Sequence, residues 1–199
     1  KQNIIEFNEE VYDLDFNEGN EYSSNTIQIY YSSMTTPQQI YEYNLIEKKK
    51  IILKKQEIPS GHDPKKYITK RIFAKSDDGE TIPISILKKK DTPEKAPTLL
   101  YGYGSYGISI APSFSLSRLS LVDRGMIYAI AHIRGGMDKG KKWYKDGKKE
   151  NKINSFKDFI SSALFLKKEK ISGEISIHGG SAGGLLVGAS LNMLSLIHI

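Results

Sequence analysis

The 199-residue chain contains no cysteine. This excludes disulfide bridges, thiol nucleophiles and thiolate metal ligands, and it fits a reducing compartment. No apolar run approaches the roughly 20 residues of a membrane-spanning helix. The opening Lys1-Gln2-Asn3-Ile4-Ile5-Glu6 lacks the build of a signal peptide. A cytoplasmic location without membrane association is therefore expected, and no cofactor or metal requirement is expected either. Residue 1 is not methionine, so a further segment upstream is expected as well.

Acidic residues are in the minority: 23 Asp and Glu stand against 29 Lys and Arg, a net charge of +6. The excess is lysine, dispersed as Lys48-Lys49-Lys50, Lys54-Lys55, Lys88-Lys89-Lys90 and a loop from Lys139 to Lys152. That loop holds seven lysines interleaved with Trp143 and Tyr144, a composition suited to stacking single-stranded nucleic acid. No nucleic-acid fold pattern accompanies it, and lysine runs usually form a solvated face, so no nucleic-acid partner is expected.

At this length the chain can hold one large or two small domains. Its character changes near residues 57–63. Before them lie short β-type runs, Thr26–Tyr31, Gln39–Leu45 and Lys50–Leu53, separated by turns at Ser32–Pro37 and Glu47-Lys48. These make an antiparallel meander, too small a sheet to be secure alone. Pro59-Ser60-Gly61-His62-Asp63-Pro64 reads as a linker.

Beyond the linker, strands and helices alternate. Thr69–Lys75 and Thr81–Leu87 flank an Asp78-Gly79 turn as a hairpin. Thr98–Tyr101 and Met126–Ala131 are continuous apolar runs of the kind buried on both faces of a parallel sheet. Ser115–Arg124 is helical, with Gly125 as its C-terminal cap. Ser155–Lys170 is the clearest helix: Ser155 and Asp158 resemble a capping box, and Phe156, Phe159, Ile160, Ala163 and Leu164 form one stripe. The expected class is α/β.

The last unit is the most informative. Glu174–His178 alternates like a strand, and Ala182–Asn192 has helical spacing with Leu185, Leu186, Ala189 and Met193 on one face. Between them stands Gly179-Gly180-Ser181-Ala182-Gly183-Gly184. A serine at a sharp strand-to-helix turn is a nucleophile elbow, and four glycines suit its unusual backbone angles and close packing. The hydroxyl then sits at a helix N-terminus, with the Ala182 N–H placed to donate to an oxyanion. The alternative is a glycine-rich turn with an incidental serine.

Tyr101-Gly102-Tyr103-Gly104-Ser105-Tyr106-Gly107, Ser117-Arg118-Leu119, His132-Ile133-Arg134-Gly135-Gly136, Trp143-Tyr144 and the elbow follow in an order and spacing that resemble the prolyl oligopeptidase family of serine peptidases. Tyr31-Ser32-Ser33-Met34-Thr35-Thr36-Pro37 and the YGYGSYG form look most like its oligopeptidase B branch. The resemblance implies that residues 1–56 are the last strands of a β-propeller and residues 57–199 the N-terminal part of an α/β-hydrolase catalytic domain. It implies hydrolysis of short peptides after Lys or Arg through an acyl-enzyme. Ser181 matches the family's nucleophile, Ala182 supplies one oxyanion N–H, and Tyr103 matches the tyrosine whose hydroxyl is the other oxyanion donor. Tyr103 as a packed aromatic is the alternative. Arg134 lies in the loop near the site, touching substrate or bracing the loop.

In this fold the acid and histidine of the triad follow the nucleophile. Here the 18 residues after Ser181 contain no Asp or Glu, and their one histidine is His198, about 25 Å from the serine if the helix continues. His62, His132 and His178 precede the serine, and none is well placed as a base. The expectation is a truncated piece of such an enzyme, inactive alone, from a frameshift, premature stop or split gene. Complementation by a second chain bearing the Asp and His, a non-catalytic interaction module and an esterase are the other readings.

Overall fold

The computed structural model describes residues 3–194 apart from Glu18 and Asn20. His198, expected too far along the helix to serve Ser181, lies outside the described residues.

Four strands, β1 Tyr12–Asn17, β2 Thr26–Ser33, β3 Gln39–Asn44 and β4 Lys49–Lys55, form an antiparallel meander in chain order. The sequence reading omitted β1, whose signal is the alternation of Tyr12, Leu14 and Phe16 with polar residues. It also placed Ser32 and Ser33 in a turn, whereas β2 continues through both. Ser33 makes the extension possible: its hydroxyl accepts from the Thr35 and Thr36 amides and donates to Glu9 at 2.7 Å, so the turn begins two residues later. Phe7, from the N-terminal segment, stacks on Tyr31 at a centroid distance of 4.8 Å and covers part of one face of the meander.

The second sheet contains β5 Tyr67–Lys75, β6 Thr81–Lys89, β7 Thr98–Tyr101, β8 Ile127–Ala131 and β9 Ile175–His178. Their order is β5-β6-β8-β7-β9, with β5, β6 and β8 antiparallel neighbours and β8, β7 and β9 parallel ones. Around it lie α1 Leu116–Asp123, α2 Lys141–Lys145, α3 Ile153–Lys168 and α4 Ala182–Met193. Every residue of β8 is buried, and its alternation divides the core. Ile127, Ala129 and Ala131 pack with Phe159 and Leu166 of α3 and Leu186 of α4. Tyr128 and Ile130 pack with Leu119 and Val122 of α1, and this layer also takes in Val11 and Met34 from the N-terminal part of the chain.

Two helices depart from expectation. Helix α3 starts two residues early, and no side chain caps it. Ser155 and Asp158 are wholly buried within it and bind other loops, so the expected capping box is absent. Its buried stripe runs through Ser155, Asp158, Phe159, Ser162 and Leu166, while Leu164 is exposed. On α4 the buried face is Gly183, Leu186 and Ser190, and Leu185 and Met193 face outward. The reason is steric, because the helix start presses on β7 and only a glycine at 183 fits there.

Candidate active site

Ser181 stands between β9 and α4, exposed, with φ 53° and ψ −121°. A non-glycine residue in this backbone region is strained by about 1–3 kcal/mol, and such strain concentrates where a side chain must be presented. The elbow is as tight as its glycines suggest, but only two of the four are required. A Cβ on Gly179 would lie 2.4 Å from the Gly183 carbonyl oxygen, and one on Gly183 would lie 2.9 Å from that of Gly102. Gly180 and Gly184 face open space, which corrects the expectation that all four serve close packing. The N–H of Ala182, first residue of α4, has no carbonyl four residues back within the helix and so remains free for an outside acceptor.

Tyr103 reaches the same place from β7. The Gly102 amide donates to the His178 carbonyl at 3.1 Å, so the end of β7 runs beside the end of β9. A Cβ on Gly183 would be 3.6 Å from the Tyr103 ring, which puts that half-buried ring against the first turn of α4. Tyr103 is thus brought to the start of the helix that follows Ser181 and begins at Ala182.

Among the described residues, none of His62, His132 and His178 is brought to Ser181. His62 Nε2 lies 2.6 Å from the Thr35 carbonyl. The His178 ring packs against Tyr101 at 5.4 Å. His132 meets Ser85 Oγ through Nε2 at 2.6 Å and Asp138 through Nδ1 at 2.9 Å. That contact has the composition of a Ser-His-Asp triad, yet Ser85 is fully buried and His132 is 3 % exposed, so no substrate reaches it. It fixes the end of β8 to β6.

Arg134 is a brace. It is 3 % exposed, its Nε and Nη2 donate to Asp158 at 2.8 and 2.6 Å, and its Nη1 donates to Asp78 at 2.5 Å. Burial opposes its charge, but the hydrogen bonds it donates to Asp158 and Asp78 outweigh that and hold its pKa above the ordinary value. Those same bonds hold the Asp78 carboxyl below the usual range.

The lysine-rich loop folds onto itself. Trp143 is buried and donates to the His132 carbonyl, Lys139 lies 4.2 Å over its ring and also pairs with Glu80, and Lys148 covers Tyr144. Trp143 is therefore not available for base stacking. Lys152 turns inward, and its half-buried ammonium has its pKa lowered by burial. Sequence reasoning missed Lys152 and Asp158 as site residues because their partners lie in loops remote along the chain.

Residues 112–196 match the prolyl oligopeptidase family. Dipeptidyl aminopeptidase BI of Pseudoxanthomonas mexicana is 44% identical over 95% of this chain and 27% of its own length. The chain belongs to the prolyl oligopeptidase family. Protease 2 of Moraxella lacunata is 34% identical over 95% of this chain and 28% of its own. Oligopeptidase B from Trypanosoma brucei, solved with covalently bound antipain, superposes with a TM-score of 0.88 at 40% identity, covering 95% of this chain and 28% of that one. The Leishmania major enzyme gives 0.87 at 40% identity, over 94% and 27%. The chain spans 27% and 28% of the length of the two curated relatives. Within the family fold, the five-stranded sheet is the N-terminal part of the α/β-hydrolase domain and the meander belongs to the last strands of the β-propeller.

Proposed function

We propose that Ser181 is the nucleophile of a serine-type oligopeptidase, with the Ala182 N–H and the Tyr103 hydroxyl as oxyanion donors. The observation that carries this is the strained, exposed Ser181 at a strand-to-helix turn, with the Tyr103 ring packed against the first turn of the helix that follows it. In such a site the serine oxygen attacks a peptide carbonyl, negative charge develops on the carbonyl oxygen, and preorganised donors stabilise it. Residues 1–56 would be the propeller strands and 57–199 the hydrolase part. Short peptides cleaved after Lys or Arg are the proposed substrates, in keeping with the likeness to Protease 2 and oligopeptidase B.

The chain supplies no base to Ser181 among its described residues, so these 199 residues alone are proposed to be inactive. Loss of triad members removes several orders of magnitude of rate and leaves what binding and the oxyanion hole provide. The test uses phenylboronic acid, which forms a tetrahedral adduct with a serine oxygen, read by boron NMR. The adduct is expected with this chain, is lost in Ser181→Ala and is weakened in Tyr103→Phe. Absence of any adduct overturns the site, and turnover of an arginine amide abolished by Ser181→Ala overturns the inactivity.

A split enzyme is the second reading. Strand β9 is the outermost of its sheet, and a cavity of about 90 Å³ beside it is lined by Leu164, Ile175, Ile177 and Leu191. An open edge with apolar flanks accepts a further strand. Co-purification with a chain bearing the Asp and His would favour it over the inactive remnant.

A further inference from the structure

The loop carrying Tyr103 is held from behind by a group that the reading of the active site does not use. Lys152, the residue preceding α3, points its Nζ at the Gly104 carbonyl at 2.5 Å, at Ser105 Oγ at 2.9 Å and at Ser155 Oγ at 3.4 Å. An ammonium has three donors and no acceptor, so this one is fully committed. Two of its three partners are the residues immediately after Tyr103.

The Gly104 carbonyl is confined on its other side as well. Gly104 has φ 65°, a Cβ there would lie 2.6 Å from Ile133 Cδ1, and a Cβ on Gly135 would lie 2.0 Å from the Gly104 oxygen. Gly147 closes the junction, since its Cβ would meet the Gly135 nitrogen at 2.2 Å. Three loop backbones therefore touch at three glycines, and the start of α3 binds all of them. Lys152 takes Gly104, and Ser155 Oγ donates to the carbonyls of Arg134 at 2.7 Å and Gly147 at 3.1 Å. Asp158 takes the Arg134 amide at 3.0 Å.

A half-buried ammonium without a carboxylate partner is a costly way to satisfy one carbonyl. The ammonium nonetheless directs its three donors at the Gly104 carbonyl, Ser105 and Ser155, so it ties the loop to the start of α3 at more than one point. We infer that Lys152 is a positioning residue: by clamping the Gly104 carbonyl and the Ser105 hydroxyl it sets the backbone from which Tyr103 presents its hydroxyl beside Ser181. This rests on the oxyanion reading of Tyr103. Misplacement of a donor by about 1 Å is enough to cost on the order of 10²-fold in reactions that depend on it.

The experiment incorporates meta-fluorotyrosine into the whole chain, with the Tyr103 line assigned through Tyr103→Phe, and compares the wild type with Lys152→Met and Lys152→Arg. In Lys152→Met the Tyr103 fluorine line is expected to shift or split while the Tyr31 and Tyr43 lines stay. Phenylboronic acid affinity is expected to fall about 10-fold, short of the ~10²–10³ that follows loss of an oxyanion donor. Lys152→Arg restores both. An unmoved Tyr103 line with unchanged boronate affinity in a folded Lys152→Met overturns the clamp. If Lys152→Met fails to fold, Lys152→Gln replaces it, and collapse of every tyrosine line in both makes Lys152 a folding residue and also overturns the clamp. A wild-type chain that binds no boronate sinks the reading of Ser181 instead, and the fluorine lines alone then decide the clamp.

Discussion

Asp158 holds Arg134 at three points: the backbone amide at 3.0 Å, Nε at 2.8 Å and Nη2 at 2.6 Å. The carboxylate belongs to α3 and the arginine to the loop after β8, so the pair ties the helix to the backbone junction behind Tyr103. Both residues are buried, at 0 % and 3 % exposure. Breaking a buried pair from one side strands the other charge, which costs about 3–5 kcal/mol. Asp158→Leu is expected to lose that much in urea unfolding. Arg134→Met combined with Asp158→Leu should cost less than the sum of the single changes, with a coupling of about 1–3 kcal/mol in the double-mutant cycle. Additive losses would show that the two residues act separately.

The elbow glycines divide into those that are needed and those that are not. Gly179→Ala drives a methyl into the Gly183 carbonyl and Gly102→Ala drives one into the Phe159 ring at 2.6 Å, so each is expected to cost about 1–3 kcal/mol. Gly188, inside α4, has nothing within 4 Å of its Cβ position. Gly188→Ala is expected to add about 1 kcal/mol through helix propensity. Thermal unfolding of the three variants checks the order, and a stabilised Gly179→Ala would contradict the packing.

Strand and helix identities were legible in the sequence where the signal is local. The apolar run Met126–Ala131 became a fully buried strand, β8, and the Ser76–Gly79 turn joined a nine-residue-paired hairpin. The elbow was legible because glycine spacing, strand and helix agreed. What the residues alone could not reveal is which polar groups meet across the fold. Asp158 looks like a capping residue from its spacing to Ser155, yet it is claimed by Arg134, 24 positions away. Lys152 looks like one more solvated lysine, yet it reaches Gly104, 48 positions away. The outward faces of Leu164 and Leu185 were misassigned for a related reason: helical periodicity identifies an apolar stripe but not the sheet that decides which side is buried.

Stability at alkaline pH should report Tyr67. Burial, then its 2.8 Å hydrogen bond to Asp123, pushes the hydroxyl pKa from 10.0 up to about 12. The neutral phenol is the form the fold favours, so ionisation begins first in the unfolded chain. The stabilising contribution is complete below pH ~10 and is lost as pH rises toward about 12. Tyr67→Phe should therefore lose less stability than the wild type between those limits when urea midpoints are compared. Equal declines in both proteins would mean that Tyr67 titrates alike folded and unfolded.

The strain at Ser181 predicts that the site is held at the expense of stability. Its φ of 53° with ψ −121° carries about 1–3 kcal/mol in any residue with a Cβ. Glycine removes that strain but loses about 0.5–1 kcal/mol of chain entropy. The balance makes Ser181→Gly more stable than the wild type by about 1 kcal/mol in urea unfolding. Ser176→Gly is the control. It sits on an exposed position of β9 with ordinary strand geometry, where glycine brings only the entropy loss, and it should be less stable. A destabilised Ser181→Gly would mean that the elbow is relaxed. A stabilised one that also no longer binds phenylboronic acid would mean that the strained serine is kept for its oxygen.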